Sequence, residues 1–429
     1  MSSRLPGFYR RTLDERLATV RELAGLTEEE VRTLREHTGF GTETANRMVE
    51  NAIGIFPIPL GVAANFRIND QDILLPMAVE EPSVLAAASH AANLLRSGSG
   101  ITTSATEPIM IGQVQVLGFD DMDQTASRLE AAADELIAIA NQANPRLQRR
   151  GGGARRLEVR TFPDTFIGNM IVCHLEVDVC DAMGANIINT MVEAIAPDVE
   201  RISGGRVRLR ILSNLADKRL VRAVGRVAVE RLARDGWSGA EVAKGILEAS
   251  VMADVDPYRA ATHNKGAMNG VDAFLVAAGQ DWRAVEAGCH AYAARDGRYR
   301  SLSSWGLEGD ELVGRLEIPM QVGVVGGITK THSVVRVVHK ILGQPSASRL
   351  GELAAACGLA QNLAALMALA TDGIQRGHMS MHARNIALEA GATSLELDAV
   401  VADMRERRDY NSDSAIQALA LIRSTKATG

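Results

Sequence analysis

Aromatic residues make up only 4% of this 429-residue chain. So few argue against a surface on which nucleobases stack. An excess of one charge is also lacking. Lys and Arg total 46 against 52 Asp and Glu, a net charge of −6, so no strong field recruits nucleic acid. No apolar run approaches the roughly 20 residues that cross a bilayer. The opening MSSRLPGFYRRTLDERL lacks the apolar stretch of a signal peptide. A cytoplasmic protein is therefore expected, with no nucleic-acid or membrane partner. Cysteine is rare, and Cys173, Cys180, Cys289 and Cys357 include no C-x-x-C pair. Zinc-ribbon and thioredoxin readings fall away, and reduced, mostly buried thiols are expected. The standard nucleotide signatures are missing too. Gly98-Ser99-Gly100 lacks the third glycine of G-x-G-x-x-G, and Thr329 rather than Gly precedes Lys330, which breaks the P-loop pattern.

What is present is an ordinary globular composition, 46% hydrophobic and 23% charged. The length suggests about three domains, or two with an insertion. Residues 12–25 read as a surface helix, with a Thr12/Glu15 capping box and an apolar stripe of Leu13, Leu17, Val20 and Leu23. Thr27 and Glu30 repeat the cap for a second. Residues 51–79 read as strands and turns, followed by an Ala-rich helix after Pro82-Ser83. The order strand, helix, strand, strand, helix, strand then runs over residues 107–217. It has the split βαβ pattern of an inserted ferredoxin-like domain, with one helix at about 124–142. From residue 218 the chain reads as mainly helical, with helices at 238–254, 281–295, 348–356 and 359–371. A glycine-rich break spans Gly323–Thr331, and residues 373–429 look like a small terminal helical domain.

Several segments carry possible chemistry, each with a plainer reading beside it. Asp181-Ala-Met-Gly184-Ala-Asn186 sits between a strand and a helix. Gly184 would let a pyrophosphate approach the helix N-terminus; an Asp-capped turn is the plainer reading. Three glycines in Gly323–Gly327 imply tight backbone contact or a structural turn. Glu80 and Glu81 follow an apolar strand, as an acid for proton transfer or as ordinary helix-start residues. Arg259 to Asn269 gathers Arg, His, Lys and two Asn, as an anion clamp with an electrophilic lysine or as a surface loop. Asp281 reads as the N-cap of a helix. His378 and His382 share a helix face; without a third ligand zinc is not expected, leaving a general acid or a plain histidine. The arginines at 146, 149, 150, 155, 156 and 160 contact a phosphate or form a solvated face.

Taken together and in order, these segments resemble one family. EEPS at 80–83, DAMGAN at 181–186, LSNLAD at 212–217 and DPYRAATHNKGAMNG at 256–270 carry the likeness. GQDWRAVEAG at 279–288, VGVVGGITKTH at 322–332 and IQRGHMSMHARN at 374–385 complete it. The chain resembles 3-hydroxy-3-methylglutaryl-CoA (HMG-CoA) reductases, in their soluble bacterial class II form, over essentially its whole length. The resemblance implies an α+β fold. A large, mainly helical domain (1–106 and 218–372) would bind CoA and the acyl group. The inserted domain (107–217) would bind the dinucleotide, and residues 373–429 would form a mobile flap. Glu81, Lys265, Asp281 and His378 fall on the catalytic places. Ser83, Arg259, Asn269 and Gln361 fall on substrate places. Asp181, Met183, Gly184, Asn186, Asn214, Gly323, Gly326, Gly327 and Asn144 fall on cofactor places. Class membership favours NAD(H) over NADP(H), although Asn144 stands where NAD-using relatives often have an acid. The partners implied are HMG-CoA, mevalonate and CoA, with a homodimer, or an assembly of dimers, closing the site at its interface. The competing reading is a CoA-ester-binding regulatory protein on the same fold.

Overall fold

The computed structural model describes residues 2–36, 40–96, 100–234, 236–371, 383–393, 395–407 and 409–427. Its N-terminal helices follow from local chemistry. Thr12 and Glu15 cap each other's backbone at the start of α1 (Leu13–Ala24), which ends at Gly25 with φ 62°. Thr27 and Glu30 do the same for α2 (Glu28–Glu36). After α3 (Thr42–Met48) the chain reaches the hairpin β1 (Leu60–Ile68) and β2 (Gln71–Ala78), which turns on Asn69 and Asp70, both with positive φ. Val20 and Leu26 pack on Ala64 and Leu74 of that hairpin, but Leu13 is exposed, off the expected stripe. Residues 51–59 are not strand. They carry Ile53, Ile55, Phe56 and Ile58 into solvent.

The large domain is built on α4 (Val84–Leu94) and a four-stranded sheet that the reading as mainly helical misses. The strand order is β3 (Thr102–Ala105), β8 (Leu220–Ala228), β10 (Glu311–Pro319), β9 (Ser303–Glu308), antiparallel throughout. Because β3 and β8 are paired neighbours, the chain between them leaves and returns at one place. That excursion forms a second antiparallel sheet in the order β5 (Gly153–Thr165), β6 (Gly168–Asp178), β4 (Ile109–Leu117), β7 (Arg206–Leu212). Its helices are α5 (Met122–Ala131), α6 (Ala133–Ala143), the short α7 (Pro145–Gln148) and α8 (Ala185–Ser203), all on one face. The connectivity is the expected split βαβ, but the single helix expected at 124–142 breaks at Ala132. Val114, Cys173 and Leu175 from the sheet and Leu136, Ile188 and Ile195 from the helices make a core separate from that of the large domain.

Three further helices fill the large domain. They are α9 (Gly239–Val255), α10 (Pro257–Ala277) and α11 (Trp282–Ala293). The glycine break leads into α12 (Ile328–Thr331) and α13 (Ser333–Ile341), where no helix is expected from sequence, and then into α14 (Ala347–Ala370). Two sequence readings need correction. Residues 257–277 are a buried helix rather than a surface loop, capped by Asp256 with Pro257 at its first turn. Residues 348–371 are one helix, not two. Gly358 does not break it but lets Val271 and Leu316 approach, since a Cβ there would lie 2.7 Å from Val271. By length and composition α14 could cross a membrane, yet most of it lies in the domain core. At the C-terminus α15 (383–389), α16 (Leu397–Arg407) and α17 (Ser412–Ala427) share a small core of Ala387, Val400, Met404 and Ala418.

Candidate active site

Glu81 stands in the turn between β2 and α4, next to Ser83, which takes φ 82° and leaves its hydroxyl uncommitted to the helix cap. A non-glycine residue held there marks backbone constrained by its surroundings. Across from it, α10 presents Lys265, whose Nζ lies 3.4 Å from Glu81 Oε2. The two residues preceding the lysine fix that helix. His263 Nε2 is 2.6 Å from Ser303 Oγ and 3.1 Å from the Asn362 amide nitrogen. Burial pushes His263 down to about 4, so it is neutral and structural at pH 7. The Asn264 amide donates to Tyr299 Oη at 3.0 Å and to the Arg300 carbonyl at 2.9 Å, and its oxygen accepts from Leu302 N at 2.8 Å. Arg259 lies on the same helix, half-buried, and desolvation lowers its pKa. Asn269 is one turn beyond Lys265. Gln361 on α14 faces α10 at Gly270, where a Cβ would come within 2.9 Å of it, and its buried Oε1 has no partner. Such an orphaned acceptor is what a bound ligand would satisfy.

Asp281 does not join this group. Its carboxylate caps α11 by accepting from Ala284 N at 3.1 Å and lies 3.9 Å from Arg283. Its described partners include neither Glu81 nor Lys265. His378 and His382 lie outside the described residues.

The second cluster sits where β6 runs into α8. Gly184 (φ 110°) is the N-cap and supplies no side chain, so the first amides of α8 have no side-chain cap. Asp181 does not cap that helix either. Its Oδ1 accepts from Ala347 N at 2.8 Å, at the start of α14, and its carbonyl accepts from Val324 N at 2.9 Å. The glycine loop is pressed onto this turn, since a Cβ on Gly323 would stand 2.3 Å from Met183 N. Gly326 and Gly327 have open space around them and are needed for their positive φ instead. Met183 is half-buried, and Asn186 is exposed on the first turn of α8. The Asn214 carbonyl accepts from Gln321 Nε2 at 2.9 Å, which also donates to Ala284 O at 2.7 Å. Asn144 caps α7 by accepting from Leu147 N at 3.2 Å, beside the exposed Arg146, Arg149 and Arg150. Cys180 Sγ is 3.7 Å from the Arg150 carbonyl, which puts the arginine turn next to residues 178–184.

Sequence reasoning misses Arg219, which ties the two glycine turns together, and Gln280 and Gln321, which fasten the 321–323 backbone to the end of α10, to α11 and to Asn214. The Gln280 side-chain oxygen accepts from Gly323 N at 2.9 Å. No motif in the sequence singles out Arg219; only its burial reveals it. Among the described residues no three His, Cys, Asp or Glu gather as a metal site.

A carboxylate–lysine pair in the large domain, with a glycine loop laid over an uncapped helix start of the inserted one, is an arrangement that suits a dinucleotide-dependent oxidoreductase. Comparison with known proteins agrees. The family model for hydroxymethylglutaryl-coenzyme A reductase matches residues 12–383. The reductase of Archaeoglobus fulgidus is 50% identical over 99% of this chain and 96% of its own. A probable reductase of Borreliella burgdorferi is 33% identical over 88% and 86%. The solved reductase of Streptococcus pneumoniae superposes with a TM-score of 0.83 at 40% identity, covering 97% of this chain and 99% of that one. A class II reductase structure from the same organism, bound to NADPH in open conformations, gives 0.82 at 41% identity over 85% and 99%. The chain belongs to the hydroxymethylglutaryl-coenzyme A reductase family.

Proposed function

We propose that this chain interconverts HMG-CoA with mevalonate and CoA by two successive reductions, through mevaldyl-CoA and mevaldehyde. The observation that carries the reading is the Lys265–Glu81 pair, 3.4 Å apart, with the lysine's helix anchored by His263 and Asn264. When bound, a nicotinamide cofactor supplies the hydrides, two per thioester. Lys265 stabilises the oxyanion that develops at the thioester carbonyl. Glu81 donates the proton as the aldehyde is reduced. His378 protonates the departing CoA thiolate, from a C-terminal flap whose movement allows cofactor exchange. Arg259 clamps the acyl carboxylate, while Ser83, Asn269 and the orphaned Gln361 oxygen orient the rest of the substrate.

Asp281 would reach Lys265 from a second copy of the chain. The support is that, among the described residues of one chain, its carboxylate meets only Ala284 N and Arg283 of its own helix. The exposed Ile53, Ile55 and Phe56 are apolar surface of the kind a homodimer, or an assembly of dimers, would cover. Residues 107–217 hold the dinucleotide in this reading. Gly323 lets its loop lie directly on the 182–184 turn, where a Cβ would stand 2.3 Å from Met183 N, and the uncapped start of α8 beside that turn suits a pyrophosphate. Asp181, Met183, Asn186, Asn214, Gly326 and Gly327 line it. For the adenosine end, the expected preference for NAD finds no support. Asn144 is uncharged and its side chain is engaged as a cap, with Arg146, Arg149 and Arg150 exposed beside it. That surface favours a 2′-phosphate, hence NADPH, and the Streptococcus pneumoniae structure is one bound to NADPH. The retained acid–lysine pair speaks against a regulatory protein that only binds CoA esters.

The test mixes the purified chain with HMG-CoA and either NADPH or NADH and counts cofactor oxidised per CoA released. Two per CoA, with NADPH preferred, is the expected result. Lys265→Ala is expected to keep fold and cofactor binding while turnover drops by about 10²–10³. Near-normal turnover in that variant would overturn the mechanism, and tight CoA-ester binding without oxidation of either cofactor would restore the regulatory reading.

A further inference from the structure

Arg219 belongs to none of the segments that carry the family likeness and touches neither Glu81 nor Lys265. It is nonetheless among the most buried charged residues of the chain, 4% exposed. Its Nη1 donates to the carbonyl of Ala182 at 3.0 Å and, more weakly, to that of Met183 at 3.4 Å. Its Nη2 donates to the carbonyl of Val322 at 2.6 Å. Its own carbonyl accepts from Met320 N at 2.9 Å. The guanidinium therefore joins the turn at 181–184 to the loop at 320–324, the two backbone segments that Gly323 allows to meet. Among the described residues no carboxylate forms an ion pair with it. Asp181 and Asp178 act on it only through space. Burial pulls Arg219 down to about 10, so it is still a cation at neutral pH.

A cation held only by backbone carbonyls is an expensive way to fasten two loops, because a buried charge without a counter-ion costs free energy that neutral donors would not. The arrangement makes sense if an anion arrives on the far side of the turn. A planar trans peptide points its N–H opposite its C=O. Drawing the Ala182 and Met183 carbonyls toward Arg219 thus turns the amides of Met183 and Gly184 away from it. The turn then has a positive charge behind it and amide donors on its other side, next to the uncapped start of α8. We infer that Arg219 is a positioning residue for the dinucleotide pyrophosphate: it shapes the 181–184 turn against the 320–324 loop and supplies the buried charge that the bound anion offsets. This rests on the reading of that turn as the cofactor site.

The experiment uses the full chain with Arg219→Met and Arg219→Lys. Steady-state rates are measured with cofactor and HMG-CoA varied separately. Thermal shifts are measured with NADPH alone and with CoA alone. For Arg219→Met the cofactor KM is expected to rise about tenfold or more while the HMG-CoA KM stays within about twofold. The NADPH-induced shift is expected to vanish and the CoA-induced shift to survive. Arg219→Lys keeps the charge but not the three-way geometry, so it is expected to lie between the two. If the Met variant fails to fold, the same split must appear in the Lys variant. Equal rises in both KM values, no change in either, or misfolding of both variants would reduce Arg219 to a structural staple and overturn the inference. Failure of the underlying reading is seen separately, as wild-type protein that NADPH does not stabilise.

Discussion

Behind the lysine helix lies a line of titratable groups whose protonation can be tested by stability. Asp272 on α10 abuts Glu286 on α11. Glu286 Oε2 is 2.6 Å from His290 Nε2, and His290 Nδ1 is 2.6 Å from Tyr299 Oη, the group that Asn264 also meets. Burial, then the neighbouring Glu286, pushes Asp272 up to about 9. The hydrogen bond that His290 donates to Glu286 holds the carboxylate down and the imidazole up. Folded protein therefore keeps a proton on the carboxyl pair through neutral pH, whereas an unfolded Asp loses it near about 3.9. Between those limits the native state binds one proton more. This contribution is fully present below the unfolded pKa and is lost as pH rises, at about 1.4 kcal/mol per pH unit. Over pH 5 to 8 that is about 4 kcal/mol at most, less to the extent that solvent reaches the pair. His290 adds a loss of the same sign above its unfolded value. Glu286 acts oppositely, stabilising above its unfolded pKa and ceasing to as pH falls. Asp272→Asn keeps the shape and removes the titration. Urea unfolding followed by tryptophan fluorescence suits the assay, because Trp237, Trp282 and Trp305 all lie in the large domain. The wild type is expected to lose stability with rising pH more steeply than Asp272→Asn, by about one proton's worth. Parallel pH profiles would refute the argument.

Other outcomes follow from single contacts. Gly323→Ala puts a Cβ 2.3 Å from Met183 N; the loops must part, so cofactor KM is expected to rise with thioester KM unchanged in initial-rate assays. Asp72 holds Arg96 through two 2.6 Å contacts and accepts from Ser3 N at 3.0 Å, with both side chains only 15% exposed. Asp72→Ala is expected to cost about 3 kcal/mol in urea unfolding, part of it recovered when Arg96→Met is added. Glu396 accepts from Thr393 and pairs with Arg423, and these bonds hold its carboxyl well below the usual range. Its stabilisation is present above the unfolded pKa and lost as pH falls through the folded one. The C-terminal helices are therefore expected to exchange amide hydrogens faster at acid pH, and Glu396→Gln should already show that behaviour at neutral pH.

Local signals were legible in the sequence where one short segment contains the whole cause. The Thr12/Glu15 and Thr27/Glu30 boxes specify their helices without help from elsewhere. The order of strands and helices in the inserted domain is likewise written along the chain. Long helices were misread where small residues serve packing. Gly270 in α10 meets the Cys357 carbonyl, and Gly358 in α14 meets Val271, so residues that look like helix breakers are contact points between two helices. The strand β8 was legible but passed over. Buried Val221, Ala223, Gly225 and Val227 alternate with Arg222, Val224 and Arg226.

The site divides in the same way. Residue identities were readable because each motif is short, but the meeting of Glu81 and Lys265, 184 positions apart, is a property of the fold alone. So is the absence of Asp281 from that pair. In one chain the Lys265 side chain is 63% exposed. A cation that wet is a weak electrophile: at 4 Å it offers about 1 kcal/mol in bulk water against about 4 kcal/mol at a protein surface that partly excludes water. Reduction of a thioester needs the drier case. The chain as described supplies the lysine, its carboxylate partner and a rigid helix beneath them, but not the cover. On the reading proposed above, in which Asp281 comes from a second copy of the chain, that copy would bring the missing cover to the lysine.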